Sequence, residues 1–493
     1  MPQADFKITY ITHASIKIES KFGSLLTDPW ILNEPIYAMT TWKFPAAIIK
    51  PEEIVNTIDY LYFSHPHEDH FHIPSIDCFP RDIKIILAEF PDFNCLRSYT
   101  MERTLREMGF HNIIKMMPWE TIDLGEGEKF TLIPACKMKY WDWENSGFVL
   151  EIGDFKLLNM NDCPSDKELY EKVDEKFGEI DLAFIQYSGV SMFPGCYRMS
   201  REEMFEASKV RKHSWIQQKN LIEYLKVKNI APFAGDFSWL SDNLFHCNIV
   251  NRSTPKLFSD FVANNYPDKN INVVIMYPTD TWDINNGLIR NHPEIDWDNY
   301  VELIAKLKDK LQNKVKAVDD WINSSNLQNL KERSIEYTNH IQKWLNKYMV
   351  DFTTRVKFTI EGPNSNFSFV IKANPKDGVQ YDWNDAEDVQ QTLFVREEIW
   401  ASVLESKLLL TNLQWACENE QHTDFVMDLA RFWFWFENFM DLNNRNAQAL
   451  IDRALFPEIK ERIRPQFGVF PQKDEWNLID IYDSKKENAL TNV

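Results

Sequence analysis

The segment SHPHEDHFH, Ser64 to His72, gathers four of the chain's 11 histidines and two carboxylates into nine residues. It follows the apolar run IDYLYF, which reads as a buried strand, and leads into a loop or helix start. Alternate residues on extended backbone point the same way. His65 and His67 can therefore converge on one point. Asp69 and His70, just past the turn, can converge on a second point nearby. Neutral imidazole and carboxylate are ligands for zinc, iron or manganese. A single histidine is more often a surface or capping residue. Four of them with an interleaved aspartate, in an HxHxDH pattern at a strand end, point to one or two transition-metal ions. His72 has no slot in that pattern and reads as a residue beside the site or at the surface.

Around this segment the chain has the texture of an α/β (α+β) protein. KITYITHASIKIE alternates apolar and polar residues as a half-buried strand does. Short apolar runs follow in IKIILAEF, KFTLIPA, GFVLEIGDFKLLNM and IDLAFIQYSG, with helical patterns at Tyr99 to Met108 and Glu202 to Lys226. Such a mixture suits a layered fold. Four stretches are expected: 1–250 carrying the metal site, 251–348 as a proline-marked connection and helical segment, 349–445 as a second α+β unit, and 446–493 as a polar tail. Helix is expected from Tyr300 to about Trp344 with a break near Ser324-Ser325. RVKFTIEG and FSFVIKA read as a hairpin, and Leu393 to Leu410 and Phe425 to Phe439 as helices. The aromatic run Arg431 to Phe439 reads as a buried helix rather than a ligand cavity.

Length and composition bound the function. At 493 residues, 44% hydrophobic and 26% charged, the chain is globular and long enough for several domains. A net charge of -20 argues against a nucleic-acid binder that tracks phosphates. No apolar run approaches the roughly 20 residues of a membrane helix. The N-terminus lacks the apolar core of a signal peptide, and seven cysteines are scattered without a CxxC pair. A cytoplasmic protein with reduced thiols is expected.

HPHEDH resembles the metal-binding motif of the metallo-β-lactamase superfamily. Ile11-Thr12-His13-Ala14-Ser15, followed by Leu26-Thr27-Asp28-Pro29-Trp30, resembles its N-terminal strand pair, and Asn161-Asp162 sits where that superfamily places its bridging aspartate. The resemblance implies an αββα sandwich with metals at one edge of two facing sheets. It implies the ligand set His65, His67, Asp69, His70 and Asp162, with Asp69 and Asp162 as the catalytic carboxylates. Leu158 to Cys163, Tyr187 to Gly195 and Pro232 to Phe237 resemble one branch in particular, the CMP-N-acetylneuraminate hydroxylase family, over about residues 6 to 250. The stretch Thr392 to Ala416, with the aromatic run, is similar to the end of that family and to a sterol-carrier-like fold.

The chain also departs from these patterns. The superfamily's further histidines have no counterpart in Ile133-Pro134-Ala135-Cys136-Lys137 or in Phe233-Ala234-Gly235, although the hydroxylase branch shares the latter sequence. Cys136, Asp236 and His246 are candidates to replace them. Two histidines and a carboxylate, His65, His67 and Asp162, form the set that leaves open positions on non-haem iron. The hydroxylase family carries a Rieske cluster, which needs paired Cys-x-His and Cys-x-x-His ligands, and this sequence contains no such pairs. An oxygenase reading therefore needs a separate electron donor.

Lys209, Arg211, Lys212 and His213 form a basic run in an acidic chain. Lys209, Arg211 and Lys212 are candidate contacts for a small anionic, nucleotide-linked substrate, and a solvated helix face explains them equally well. Tyr187 and Ser188 are further candidate substrate contacts. Three functions are open: an iron-dependent oxygenase or hydroxylase, with zinc or manganese as the other metals; a metal-dependent hydrolase of a phosphodiester, lactone or amide; and a non-catalytic binding protein.

Overall fold

The computed structural model describes residues 6–46, 48–89, 97–136, 145–213, 215–346, 352–383, 388–405 and 407–422, together with Leu429, Phe432 and Trp433. The expected helix 425–439, apart from those last three residues, and the tail 446–493 lie outside the described residues.

The strands of the N-terminal half form two large sheets. In spatial order the eight-stranded sheet runs Gly287–Ile289, Thr281–Asp283, Lys7–Thr12, Ser15–Ser20, Gly23–Thr27, Tyr60–Phe63, Lys84–Ala88 and Ile113–Met116. The seven-stranded sheet runs Asn272–Val273, Val227–Phe233, Ile180–Gln186, Phe155–Asn161, Ser146–Ile152, Glu128–Pro134 and Thr121–Gly125. The side chains alternate as strands require. Ile8, Tyr10, Ile16, Ile18 and Tyr62 of one sheet meet Phe130, Phe148, Leu150, Leu182 and Phe184 of the other in a shared core. The alternate residues turn outward. Val149, Leu158, Ala183 and Ile230 pack under helices Lys167–Phe177, Ile216–Tyr224 and Pro255–Asn265. Leu26, Leu61, Phe63 and Ile85 share a core with Met101 and Leu105 of helix Arg97–Glu107. The result is helix, sheet, sheet, helix, the αββα sandwich. Residues 251–290, read from sequence as connection, add edge strands to both sheets.

Tyr60–Phe63 is buried at every position and pairs in parallel with Gly23–Thr27 and Lys84–Ala88. Parallel strands covered on both faces read as continuous apolar runs, as YLYF does. The stretch KITYITHASIKIE differs from the single strand expected. It is a hairpin, Lys7 opposite Glu19 and Ile8 opposite Ile18, broken at His13, whose φ is 48°. A two-residue loop preserves the period-2 alternation, so the sequence pattern could not reveal the break.

The C-terminal unit has a five-stranded sheet, ordered Gly378–Asp382, Asn366–Asn374, Thr354–Glu361, Gln391–Arg396 and Glu418–Gln421. The hairpin expected from RVKFTIEG and FSFVIKA is present. The helices Tyr300–Asn323 and Leu330–Leu345 break where Ser324-Ser325 predicts. The expected helix from Leu393 starts instead as strand Gln391–Arg396, paired in parallel with Thr354–Glu361, and turns helical only at Glu397. The β-branched and aromatic residues of TLFV fit either state alone, and a neighbouring strand decides. The core of this unit, with Phe358, Phe369 and Trp400, is continuous with the outer apolar layer of the eight-stranded sheet. Among the described residues, no helix is long and apolar enough to cross a membrane.

Beneath the sheet edge, Arg252 is fully buried. Its guanidinium donates to the Tyr187 hydroxyl and the Phe237 carbonyl, and lies 5.4 Å from the ring centre of Phe44. Gly235 lets the backbone pass close to Tyr187, because a Cβ there would fall 2.7 Å from that ring. Gly235→Ala is therefore expected to destabilise the fold by about 1–3 kcal/mol, the usual cost of overpacking. The check is the denaturant midpoint, and an unchanged value would show that the Tyr187 ring moves aside freely.

Candidate metal centre

The loop after strand Tyr60–Phe63 is fixed at its root by Asp28. One oxygen of Asp28 accepts from the Ser64 N–H at 2.8 Å and the other from the Ser64 hydroxyl at 2.6 Å. The loop then folds back, with the His70 and Phe71 N–H groups donating to the His67 carbonyl at 3.0 and 2.7 Å. Asp162 arrives from the other sheet, one residue beyond strand Phe155–Asn161.

Two groups of candidate ligands result: His65, His67 and Asp162, and His13, Asp69 and His70. Within each, the ligand atoms lie within 4.8 Å of one another. In the first, His65 Nε2 is 2.7 Å from His67 Nδ1 and 3.4 Å from Asp162 Oδ2. In the second, His70 Nε2 is 3.6 Å from Asp69 Oδ2. Asp162 Oδ2 is also 3.6 Å from His70 Nε2, so this one oxygen stands between the groups, where a bridging carboxylate belongs. The structure thus brings together all five ligands expected from sequence.

The buried polar atoms test whether a cation fits. His70 Nδ1 faces Asp28 Oδ2 at 2.8 Å, and an ionised carboxylate only accepts, so Nδ1 carries the proton of the neutral ring. His70 Nε2 is buried with no hydrogen-bond partner. Its lone pair then faces two carboxylate oxygens, an arrangement that needs a positive charge between them. Burial works against protonating His70, yet Asp162, Asp69 and Asp28 outweigh it and push its pKa up to about 10. Burial also raises Asp69, but His70, His13 and His67 prevail and hold its carboxyl well below the usual carboxylate range. Burial, followed by the repulsion of Asp69 and Asp28 against the pull of His70, lifts Asp162 to about 6. A divalent cation would satisfy the same carboxylates and the orphaned Nε2, and the donor set of imidazole and carboxylate suits zinc, iron or manganese. The Asp28–His70 contact is the carboxylate–imidazole pair that fixes the tautomer of a ligating histidine.

His13 holds a position that sequence reasoning missed. The Asp236 backbone N–H donates to its Nδ1 at 3.1 Å. A neutral His13 therefore carries its proton on Nε2, 3.2 Å from Asp69 Oδ2, and donates to that carboxylate. The other Asp69 oxygen accepts from the Tyr37 hydroxyl at 2.5 Å. Tyr37 is in turn stacked on Trp415 of the C-terminal unit, with ring centres 4.6 Å apart and planes at 17°. Neither Asp28, His13 nor Tyr37 has a local pattern that marks it. Asp28 and His13 fall in the segments that carry the superfamily resemblance, and that resemblance was their only signal.

The remaining candidates stand elsewhere. Cys136, Asp236 and His246 belong to neither ligand group. Asp236 accepts from the hydroxyls of Tyr10 and Tyr187 at 2.6 and 2.8 Å, and His246 Nε2 faces the Gly195 carbonyl at 2.8 Å. Tyr187 is buried in the Asp236–Arg252 network, and the Ser188 hydroxyl accepts from the Ser253 N–H at 2.8 Å. Lys209 is exposed and pairs with Glu206. Arg211 and Lys212 lie on the same helix, Arg201–His213, with side chains outside the described residues. His72 is buried against Ser75, with burial and then Lys43 pushing its pKa down to about 3.

Residues 25–213 match the family model described as the beta-lactamase superfamily domain. Two curated relatives narrow the comparison. A Mycolicibacterium smegmatis protein named "Putative Rieske 2Fe-2S iron-sulfur protein" is 28% identical over 261 residues, 52% of this chain and 48% of the relative. The cytidine monophosphate-N-acetylneuraminic acid hydroxylase of Cricetulus griseus is 25% identical over 288 residues, 56% of this chain and 47% of the relative. The chain thus spans about half the length of the curated relatives it matches. Among solved structures, CmlA, a diiron beta-hydroxylase from Streptomyces venezuelae, is 14% identical with a TM-score of 0.37, covering 58% of this chain and 54% of that one.

Removing the carboxylate behind His70 tests the centre. Asp28→Asn is expected to weaken metal binding by about 10–100-fold, the usual effect of losing the partner of a ligating histidine. Competition with a chromophoric chelator measures it. An unchanged affinity in a folded variant would show that His70 is no ligand.

Proposed function

We propose that this chain is a metal-dependent enzyme with a two-metal centre, one ion held by His65, His67 and Asp162 and the other by Asp69 and His70, with Asp162 shared. The single observation that carries this reading is Asp162 Oδ2, placed 3.4 Å from His65 Nε2 and 3.6 Å from the orphaned His70 Nε2. Within it we favour an iron-dependent oxygenase or hydroxylase. The two-histidine, one-carboxylate set supports that choice because it leaves coordination positions open, and so does the similarity to a hydroxylase. Bound iron would supply activation of dioxygen. The chain's own residues then have distinct tasks. His13 and Tyr37 occupy both oxygens of Asp69, which suits it to hold a metal rather than to move a proton. Asp162, with its side chain 15% exposed against 5% for Asp69, is the more open of the two carboxylates. The sequence has no Rieske ligand pairs, so electrons would come from a donor outside these residues.

The second reading is a hydrolase, for which the superfamily match speaks. A metal-activated water would attack a phosphodiester, lactone or amide, and Asp162 would orient it. For either reaction the substrate is small. An anionic, nucleotide-linked substrate held by Lys209, Arg211 and Lys212 is the finer form of the proposal, and it draws no support from Lys209, which is paired with Glu206 in solvent. Likewise, Tyr187 and Ser188 would act on substrate only through the buried network they hold. The C-terminal unit is proposed to be sterol-carrier-like, and a cytoplasmic location goes with the reduced thiols.

Metal content decides between the readings. Protein purified without oxygen and without added metal is expected to hold one to two irons per chain by mass spectrometry, and His67→Ala to lose most of it. Reductant-dependent oxygen uptake should accompany the iron. Zinc with hydrolysis of generic esters that His67→Ala abolishes would select the hydrolase instead, and no bound metal would overturn both.

A further inference from the structure

The C-terminal unit meets the metal loop across an open cleft. The cleft is lined by Glu34 to Ile36 with Ala38 and Met39, by Glu68 with Phe71 to Pro74, and by Trp321, Leu408 and Leu409 of the C-terminal unit. Two of these walls also build the metal centre. Tyr37, Ala38 and Met39 have φ values of 50, 56 and 63°, three successive residues in the left-handed region that such residues otherwise enter singly. Thr40 and Thr41 N–H groups close this turn onto the Ile36 carbonyl at 3.0 and 3.1 Å, and Glu68 accepts from the Tyr37 N–H at 2.6 Å. The turn sends the Tyr37 phenol to Asp69 and leaves Ala38 and Met39 lining the cleft. The second wall works the same way. Asp69 and His70 belong to the ligand groups, and the next residues, Phe71 and Ile73, line the cleft.

Charge and hydrogen bonding decide what the cleft accepts. Glu68, Asn412 and Lys407 of its lining are engaged within the protein. Glu68 accepts from the Tyr37 N–H and from Asn412 Nδ2 at 2.9 Å. Lys407 Nζ donates to the Trp321 carbonyl at 3.0 Å and to the Ser324 and Ser325 hydroxyls at 3.1 and 2.9 Å, and pairs with Glu405 at 3.1 Å. Two carboxylates, Glu34 and Glu68, share the lining with this single lysine, and no arginine is present among the described lining residues. A phosphate or carboxylate would meet repulsion without a compensating guanidinium. An apolar group would meet Ile36, Met39, Phe71, Trp321 and Leu408.

We propose that this cleft binds the uncharged, apolar part of a small-molecule substrate, an aromatic ring or short alkyl chain, and presents the rest of that molecule to the metal centre. The inference rests on the enzyme reading above. Its test is separable from that reading: the full chain is titrated with the neutral fluorophore N-phenyl-1-naphthylamine in metal-loaded and metal-stripped forms. Saturable binding at one site per chain is expected, displaced by neutral naphthalene and not by cytidine monophosphate. Met39→Glu, which places a charge in the cleft, should weaken probe binding about tenfold or more. Trp321→Ala, on the opposite wall, should weaken it in the same direction and serves where Met39→Glu disturbs the turn. Circular dichroism and thermal midpoints identify the folded variants. No saturable binding, binding that both folded variants leave intact, or displacement by cytidine monophosphate would overturn the cleft. Probe binding in a chain that holds no metal would keep the cleft and remove the metal-centre reading.

Discussion

Three carboxylates, Asp28, Asp69 and Asp162, surround one buried imidazole, His70, at the shared edge of the two sheets. Concentrated negative charge in a low-dielectric place is costly unless cations and hydrogen bonds compensate it. Much of the surrounding structure supplies that compensation. Ser64 satisfies Asp28, His13 and Tyr37 satisfy Asp69, and Asn145 Nδ2 approaches Asp162 at 3.4 Å. His70 Nε2 is left without a hydrogen-bond partner, and a positive charge there, a proton or a metal ion, would complete the balance.

The same need ties the two halves of the chain together. Asp69 depends on the Tyr37 hydroxyl. Tyr37 is presented by a left-handed turn that Glu68 holds at its first N–H. Asn412 holds Glu68 and Trp415 covers Tyr37, both from the C-terminal unit. The C-terminal unit is thus part of the support of the metal loop. This support differs in kind from the Asp236–Tyr10–Tyr187–Arg252 network, which fixes His13 from the N-terminal side. Two independent buried networks therefore converge on a single carboxylate, and each of its oxygens is positioned by a different one.

The sandwich was legible wherever burial follows a simple period. YLYF reads as a doubly covered strand because it is one, and the 354–374 hairpin reads from strict alternation. Legibility failed where two states share one pattern. The His13 loop keeps the alternation on both sides, and Gln391–Arg396 is strand only because Thr354–Glu361 lies beside it. The basic run at Lys209 shows the converse. A charge pattern suggested a ligand site, and in the fold Lys209 has a neighbour of opposite charge one helical turn away.

The sequence by itself determined the position of four candidate ligands, since His65, His67, Asp69 and His70 lie in six consecutive residues whose spacing on a strand end forces them together. It also determined, through the resemblance carried by Asn161-Asp162, which distant aspartate joins them. Only the tertiary structure decided that His13 and Tyr37 position Asp69, that Asp28 sets the tautomer of His70, and that the C-terminal unit walls a cleft beside the candidate metal ligands. The reason is separation along the chain: His13 and Asp69 are 56 positions apart, Tyr37 and Asp69 32, and Glu68 and Asn412 344. Contacts across such distances leave no periodic trace, because they are made by the packing of whole sheets and not by the local path of the backbone.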